Sequence, residues 1–393
     1  MTSLALTNVG ALISGSLETG LLDADTLLVE DGRIAEIGRG LDVSGAERVL
    51  DCVGTTVAPG LIDGHLHTVI GDYTPRQKTV DFLESYVHGG VTSGVSPSEV
   101  HAPGRPSDPV GVKALAITAQ RCFSNFHPGG FKMHAGSVII EPGLEEKDFE
   151  ELAAEGVWLA KVGFGNFENQ RDTAPLVRAA QRHGFKVLCH TGGASIPGSS
   201  PVTAEDLLEI LPDIAAHING GTTALPDEGL ERVIRESDMA LQICQCGNLR
   251  SALLTVERCK VVGQLSRINV ASDTPSGTGV MPMGVLKSVV ELSSLASLKP
   301  EEAWATGSGL VADAWGLGDQ GKIEVGRASD LVVMDTPLAS AAEDATGAIA
   351  IGDIPGITAV LINGEAWVMK SRNTPAATNY CKWVRVGKGG GGP

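Results

Sequence analysis

Two histidines stand one residue apart in the run APGLIDGHLHT: His65 and His67. On an extended strand, residues i and i+2 face the same side, so both imidazoles could converge on one metal ion. The pattern alone is weak, and the remaining histidines decide its weight. Of the nine in the chain, His190 closes the strand-like run FKVLCH and His217 lies at the end of DIAAHI, while Asp273 ends RINVASD. Ligand types at the ends of separate strands point to one centre assembled from distant parts of the chain. Lys161 is a second anomaly, because it lies inside the apolar run GVWLAKVGFG, where a buried ammonium is costly. Either its head reaches solvent past an apolar stem, or its amine has combined with carbon dioxide. The resulting carbamate is an anion with two oxygens, able to bridge two divalent ions.

These residues need elements to position them. Strand-like runs end near Asp63-Gly64-His65 and at residues 91–96, 136–140, 157–164, 185–190, 213–218, 239–245 and 267–273. Helix-like segments lie between most of them, including DFLESYVHGG, EKDFEELAAEG, TAPLVRAAQRHG and GVLKSVVELSSLA, several stopped by a glycine. Eight strands in roughly 260 residues suit an α/β fold of the (β/α)8 TIM-barrel type, over 59–322. A doubly wound open sheet would need a glycine-rich phosphate turn after its first strand, and HLHT stands there instead. The run VGFGNFEN has a Gly-x-Gly but not the third glycine of a dinucleotide site. Residues 1–58 and 323–386 read as short strands with turns at Asp31-Gly32 and Asn363-Gly364. They predict one small β-sandwich domain built from both termini. Residues 387–393, GKGGGGP, read as a flexible tail.

The connections that follow the barrel strands are long and glycine-rich, and in a barrel they line the catalytic face. Tyr73, Arg76, His134, Asn166 and Arg250 fall in or near them and are the candidate substrate contacts. A carboxylated substrate needs a cation, and arginine can bind it through two hydrogen bonds. Arg250, in QCGNLRS, is either that clamp or a surface arginine at a helix start. Cys244 and Cys246 share a strand face in this reading and are expected to be core thiols, since histidine and oxygen ligands already fill the site.

Composition bounds the partners. The chain has 393 residues, with 30 Lys plus Arg against 47 Asp plus Glu, a formal charge of −17. That balance argues against nucleic acid and anionic membranes while leaving room for a small anionic substrate. Glycine, at 50 residues, is about twice its usual ~7% share without a collagen period. The seven scattered cysteines read as reduced thiols, and the start of the chain lacks the basic residues of a signal peptide. A cytoplasmic location is expected, with no apolar run of about 18 residues to span a membrane.

Together, the run VAPGLIDGHLH, the interior Lys161, the single histidines His190 and His217, Asp273 and the late run GKIEVGRASDLVVMD resemble the amidohydrolase superfamily over almost the whole chain. The resemblance implies that His65 and His67 hold a first metal. A carboxylated Lys161 would bridge both metals, and His190 and His217 would hold the second. Asp273 would touch the first metal and carry a proton. A hydroxide bridging the two ions would then attack an amide carbonyl. Two departures stand out. Members that cleave carboxylated ureides often have an arginine shortly after the first histidine pair, where Thr68 stands here. The deaminase branch typically has a glutamate close after the fifth-strand histidine, where Thr191, Gly192 and Gly193 stand here.

Three stretches, GHLHTVIGDYTPRQKTVDFLESYVHGGVTSGVSP, FHPGGFKMHAGSVIIEPG and GVWLAKVGFGNFEN, are similar to the enamidases, the branch that serves bacterial nicotinate breakdown. That similarity implies hydrolysis of 1,4,5,6-tetrahydro-6-oxonicotinate to 2-formylglutarate and ammonia. It also implies zinc or iron as the two divalent ions and a homotetramer. Hydrolysis of a hydantoin, a dihydropyrimidine, dihydroorotate or an isoaspartyl dipeptide stays open as another activity on this scaffold. So does a non-catalytic assembly protein, although such proteins usually lose metal ligands and all six positions are occupied here.

Overall fold

The structure, a computed structural model, describes residues 3–67, 82–98, 104–194, 198–220, 224–274 and 279–386. Its middle is a succession of short parallel strands separated by helices. One three-stranded sheet pairs Leu61–Asp63, Val91–Val95 and Lys132–His134 in that order. A six-stranded sheet runs in chain order from Ser137–Ile139 through Leu159–Val162, Lys186–Cys189, Ile214–Ala215 and Ala240–Cys244 to Ile268–Ala271. A parallel bridge from Leu66 to Thr274 links the continuation of the first strand to that of the last. All eight expected strand positions are occupied. Lys132–His134 adds a strand where the sequence reading had a loop. Gly136, at φ 101°, interrupts the stretch between Lys132 and Ile139.

Nearly every residue of these strands is buried, as parallel strands covered on both faces require. Ile62, Val95, Leu159, Leu188, Ile214 and Ala216 form one apolar cluster with Val311 and Trp315. Lys161 lies two residues beyond Leu159, on the same face of its strand. The helices Phe82–His88, Glu146–Ala154, Ala174–Arg182 and Gly284–Ala296 stand where periodicity placed them. Gly156 and Gly184 follow two of them at φ 83° and 82°, a conformation that costs glycine little.

The two ends of the chain meet in two further sheets. One has the order Lys382–Arg385, Arg48–Asp51, Ser3–Thr7, Thr26–Glu30, Arg33–Gly38. The other has the order Glu365–Val368, Gly356–Ile362, Leu331–Asp335, Thr56–Pro59, Ala11–Ile13, Leu21–Leu22. Leu6, Leu27 and Leu50 from one pack with Leu12, Val57, Val333 and Leu361 from the other. Both hairpin turns form as read: Asp31 and Gly32 lie at φ 48° and 78°, Asn363 and Gly364 at 50° and 73°, the positive pair that suits a two-residue hairpin. Among the described residues, no helix is long and apolar enough to cross a membrane.

Candidate active site

His65, His67 and Asp273 come together with one ligand atom each inside 4.8 Å. Asp273 Oδ1 lies 3.0 Å from His65 Nε2 and 3.2 Å from His67 Nε2. The backbone brings them there: Asp273 N donates to His65 O at 2.9 Å, and His67 N donates to Thr274 O at 2.8 Å. Asp63 steadies both ends, its Oδ1 accepting from His65 N at 3.1 Å and from Ser272 N at 3.0 Å. Asp63 is wholly buried, which raises its carboxyl to about 6.

Orientation of His65 comes from Gln242. Its Oε1 lies 2.7 Å from His65 Nδ1, and its own amide is oriented by donation to Gly64 O at 3.2 Å. Burial lowers His65 to about 4, so it carries one ring hydrogen at neutral pH. That hydrogen belongs on Nδ1, against Gln242. Nε2 then turns a lone pair toward a carboxylate oxygen, an arrangement that a cation between them would relieve.

The second pair has the same logic. His190 Nδ1 and His217 Nε2 lie 3.1 Å apart, and His190 Nε2 lies 2.9 Å from Gly193 O. The carbonyl can only accept, so the His190 hydrogen sits on Nε2 and Nδ1 offers a lone pair toward His217. Burial lowers His190 to about 4 as well. The 3.1 Å separation is hydrogen-bond distance, with His217 Nε2 able to donate, and it lies close to the ~3.3 Å expected of two nitrogens each ~2.0–2.1 Å from one tetrahedral ion. The strand Ile214–Ala215 ends before His217, whose φ of 31° turns its side chain out of the strand alternation. Asp273 sits at φ 54°, so two of the clustered residues adopt a conformation that costs side-chain-bearing residues strain. The ring centroids of His65 and His217 are 5.8 Å apart, which places the two groups side by side.

Lys161 is 1% exposed. Among the described residues its amine has no hydrogen-bond or ion-pair partner, and it faces the Phe164 ring at 5.5 Å. Burial lowers it to about 8. Of the two readings of Lys161 in the sequence, the one in which its head reaches solvent does not hold, since the whole strand Leu159–Val162 is buried. Gly163, at φ 104°, leaves no room for a Cβ beside His190.

The candidate substrate contacts are scattered. Tyr73 and Arg76 lie outside the described residues. His134 faces Trp158 and pairs with Gln320 at 3.1 Å. Asn166 is exposed, its backbone N–H bonded to Glu141. Arg250 pairs through both its terminal nitrogens with Asp227 on the surface, at 2.6 and 2.9 Å. Cys244 is a buried thiol at its strand end. Cys246, expected in the core too, instead stands in the turn beyond the strand, 3.2 Å from Asp273 Oδ2. Sequence reasoning missed Gln242, Asp63, Asn219 and Arg105. Only Asp63 carried a signal, as a carboxylate inside the apolar run that leads into the histidine pair.

No family model matches the chain. The enamidase of Eubacterium barkeri is 48% identical over 385 residues, covering 97% of this chain and 100% of that protein. The imidazolonepropionase of Bacillus cytotoxicus is 23% identical over 85% of this chain and 91% of its own. A crystal structure of enamidase, a member of the amidohydrolase superfamily, superposes with TM-score 0.92 at 48% identity, over 97% of this chain and 100% of the other. An amidohydrolase at 16% identity shares the fold at TM-score 0.65, over 94% of this chain and 100% of its own. The chain belongs to the amidohydrolase superfamily. Within that superfamily it is a member of the enamidase family, matching the Eubacterium barkeri protein over 97% of this chain.

Proposed function

We propose that this chain hydrolyses the amide bond of a cyclic enamide, with 1,4,5,6-tetrahydro-6-oxonicotinate as substrate and 2-formylglutarate and ammonia as products. The observation that carries the reading is the convergence of His65 and His67 on Asp273 beside the His190–His217 pair, in a chain 48% identical to an enamidase over 97% of its length. Members of the superfamily generally use divalent metal ions. Here His65, His67 and Asp273 would hold one, zinc or iron, and His190 and His217 the other. Lys161, carboxylated by carbon dioxide, would bridge them. Its burial favours that modification, since a buried ammonium with no ion-pair partner among the described residues is costly. The parallel strands would form the (β/α)8 barrel over 59–322, supported by the Leu66–Thr274 bridge. The two terminal sheets would form a composite sandwich domain, 1–58 with 323–386. A cytoplasmic homotetramer completes the reading.

Bound ions at this site would bring the pKa of a water from 15.7 towards ~7 and polarise the amide carbonyl. Asp273 takes the proton of the attacking water and hands it to the departing ring nitrogen, as base and then acid. Gln242 holds His65 in the tautomer that leaves Nε2 free. Because the nitrogen is attached to a C=C bond, ring opening yields a carboxylate and an enamine. The enamine tautomerises to an imine, and a second water converts it to the aldehyde and ammonia.

The test is turnover on a panel of lactams and ureides, with ammonia and aldehyde measured separately. The expected result is both products from the carboxylated enamide. An inert enamide together with cleavage of a hydantoin would overturn the substrate assignment.

A further inference from the structure

The two oxygens of Asp273 have different neighbours. Oδ1 faces His65 and His67, while Oδ2 lies 3.2 Å from Cys246 Sγ. We propose that Cys246 is a positioning residue, its thiol donating to Oδ2 and holding the carboxylate with Oδ1 turned to the imidazoles. The proposal deepens the proposed hydrolysis and rests on it for the part played by Asp273.

The thiol does not reach Asp273 by accident of packing. Cys246 sits in the turn between the strand Ala240–Cys244 and the helix Leu249–Val261. Gly247 N closes that turn on Cys244 O at 3.0 Å. Asn219, 1% exposed, clamps it: Cys244 N donates to Asn219 Oδ1 at 3.0 Å, and Asn219 Nδ2 donates back to Cys244 O at 3.0 Å. Asn248 N adds a bond to Asn219 O at 3.0 Å. A Cβ on Gly247 would meet the Asn219 amide and the Gly220 carbonyl, so glycine is required for this approach. Asn219 is two residues beyond His217. One turn therefore ties the His190–His217 pair to the Asp273 side of the cluster.

The choice of sulfur has a physical consequence. A lysine or arginine at this position would bind Oδ2 as a charge-assisted pair and hold it against any transferring proton. A thiol is a weak donor. It fixes the rotation of the carboxylate while leaving Oδ2 free to exchange its partner during catalysis.

The experiment uses the full-length, metal-loaded protein with Cys246→Ala, Cys246→Ser and Asp273→Ala. The expected result for Cys246→Ala is a kcat fall of about 10–10²-fold, the scale of a misplaced reacting group. KM should stay within about twofold and bound metal unchanged, and Cys246→Ser, which keeps a donor, should recover most of kcat. A second readout needs no turnover. The S–H stretch isolated as the wild type minus Cys246→Ser infrared difference should lie at a hydrogen-bonded frequency and move to the free-thiol position in Asp273→Ala. A wild-type kcat in Cys246→Ala, a loss of activity that only tracks loss of metal, or an S–H band indifferent to Asp273 would each overturn the proposal. A wild-type protein inert toward every enamide would sink the proposed function instead, and the infrared shift would still decide the contact.

Discussion

His65 turns Nδ1 to Gln242 Oε1 at 2.7 Å and thereby aims Nε2 at Asp273 Oδ1, 3.0 Å away. A residue 177 positions along the chain thus selects the tautomer of the first histidine. Replacing Gln242 by Leu removes the acceptor and frees the ring. Metal affinity should fall about 10–100-fold, read by competition with a chelator of known affinity. Unchanged affinity would show that Gln242 only fills space.

Lys161→Ala tests the carbamate. The variant should lose about 10² or more in kcat and retain less metal. Short carboxylic acids added to the assay should restore part of the activity by supplying the missing oxygens. Unchanged metal content and turnover would reject a bridging role.

Below Phe164 lies a buried ion pair of another kind. Arg105 bonds Glu141 and also donates to Phe164 O at 2.6 Å and Pro106 O at 2.9 Å; Glu141 is wholly buried. Removing the cation alone leaves a buried carboxylate uncompensated. Arg105→Ala should therefore lose about 3–5 kcal/mol of stability in urea unfolding. Arg105→Met combined with Glu141→Leu should recover most of it.

His134 predicts an acid-side loss of stability. Burial chiefly lowers it to about 4; Lys132 adds to the fall, and the Gln320 side chain opposes it. A histidine with a depressed folded pKa binds its proton more readily when unfolded. Its contribution is fully present above ~6.5 and is lost as pH falls through about 4. The slope is at most about 1.4 kcal/mol per pH unit. Urea midpoints at pH 7 and pH 5 should separate less in His134→Asn than in the wild type. Equal separations would contradict the assignment.

The sequence by itself determined the local structure. Glycine after a helical run, Asp31-Gly32 and Asn363-Gly364 between alternating strands, and continuous apolar runs broken by His65, Lys161, His190 and Asp273 follow from backbone sterics and burial. Those effects act within a few residues and so leave a local mark. Even the miss at Lys132–His134 has a local cause: glycines on both sides imitate a loop, and pairing with Val91–Val95 overrides them. Tertiary structure alone decided which atoms face each other. Gln242 behind His65, Cys246 on Asp273 and Arg105 on Glu141 bear no mark in the sequence. A glutamine, a thiol or an arginine acquires its partner from the register of distant strands, and hydrogen bonds act over about 3 Å of space rather than along the chain.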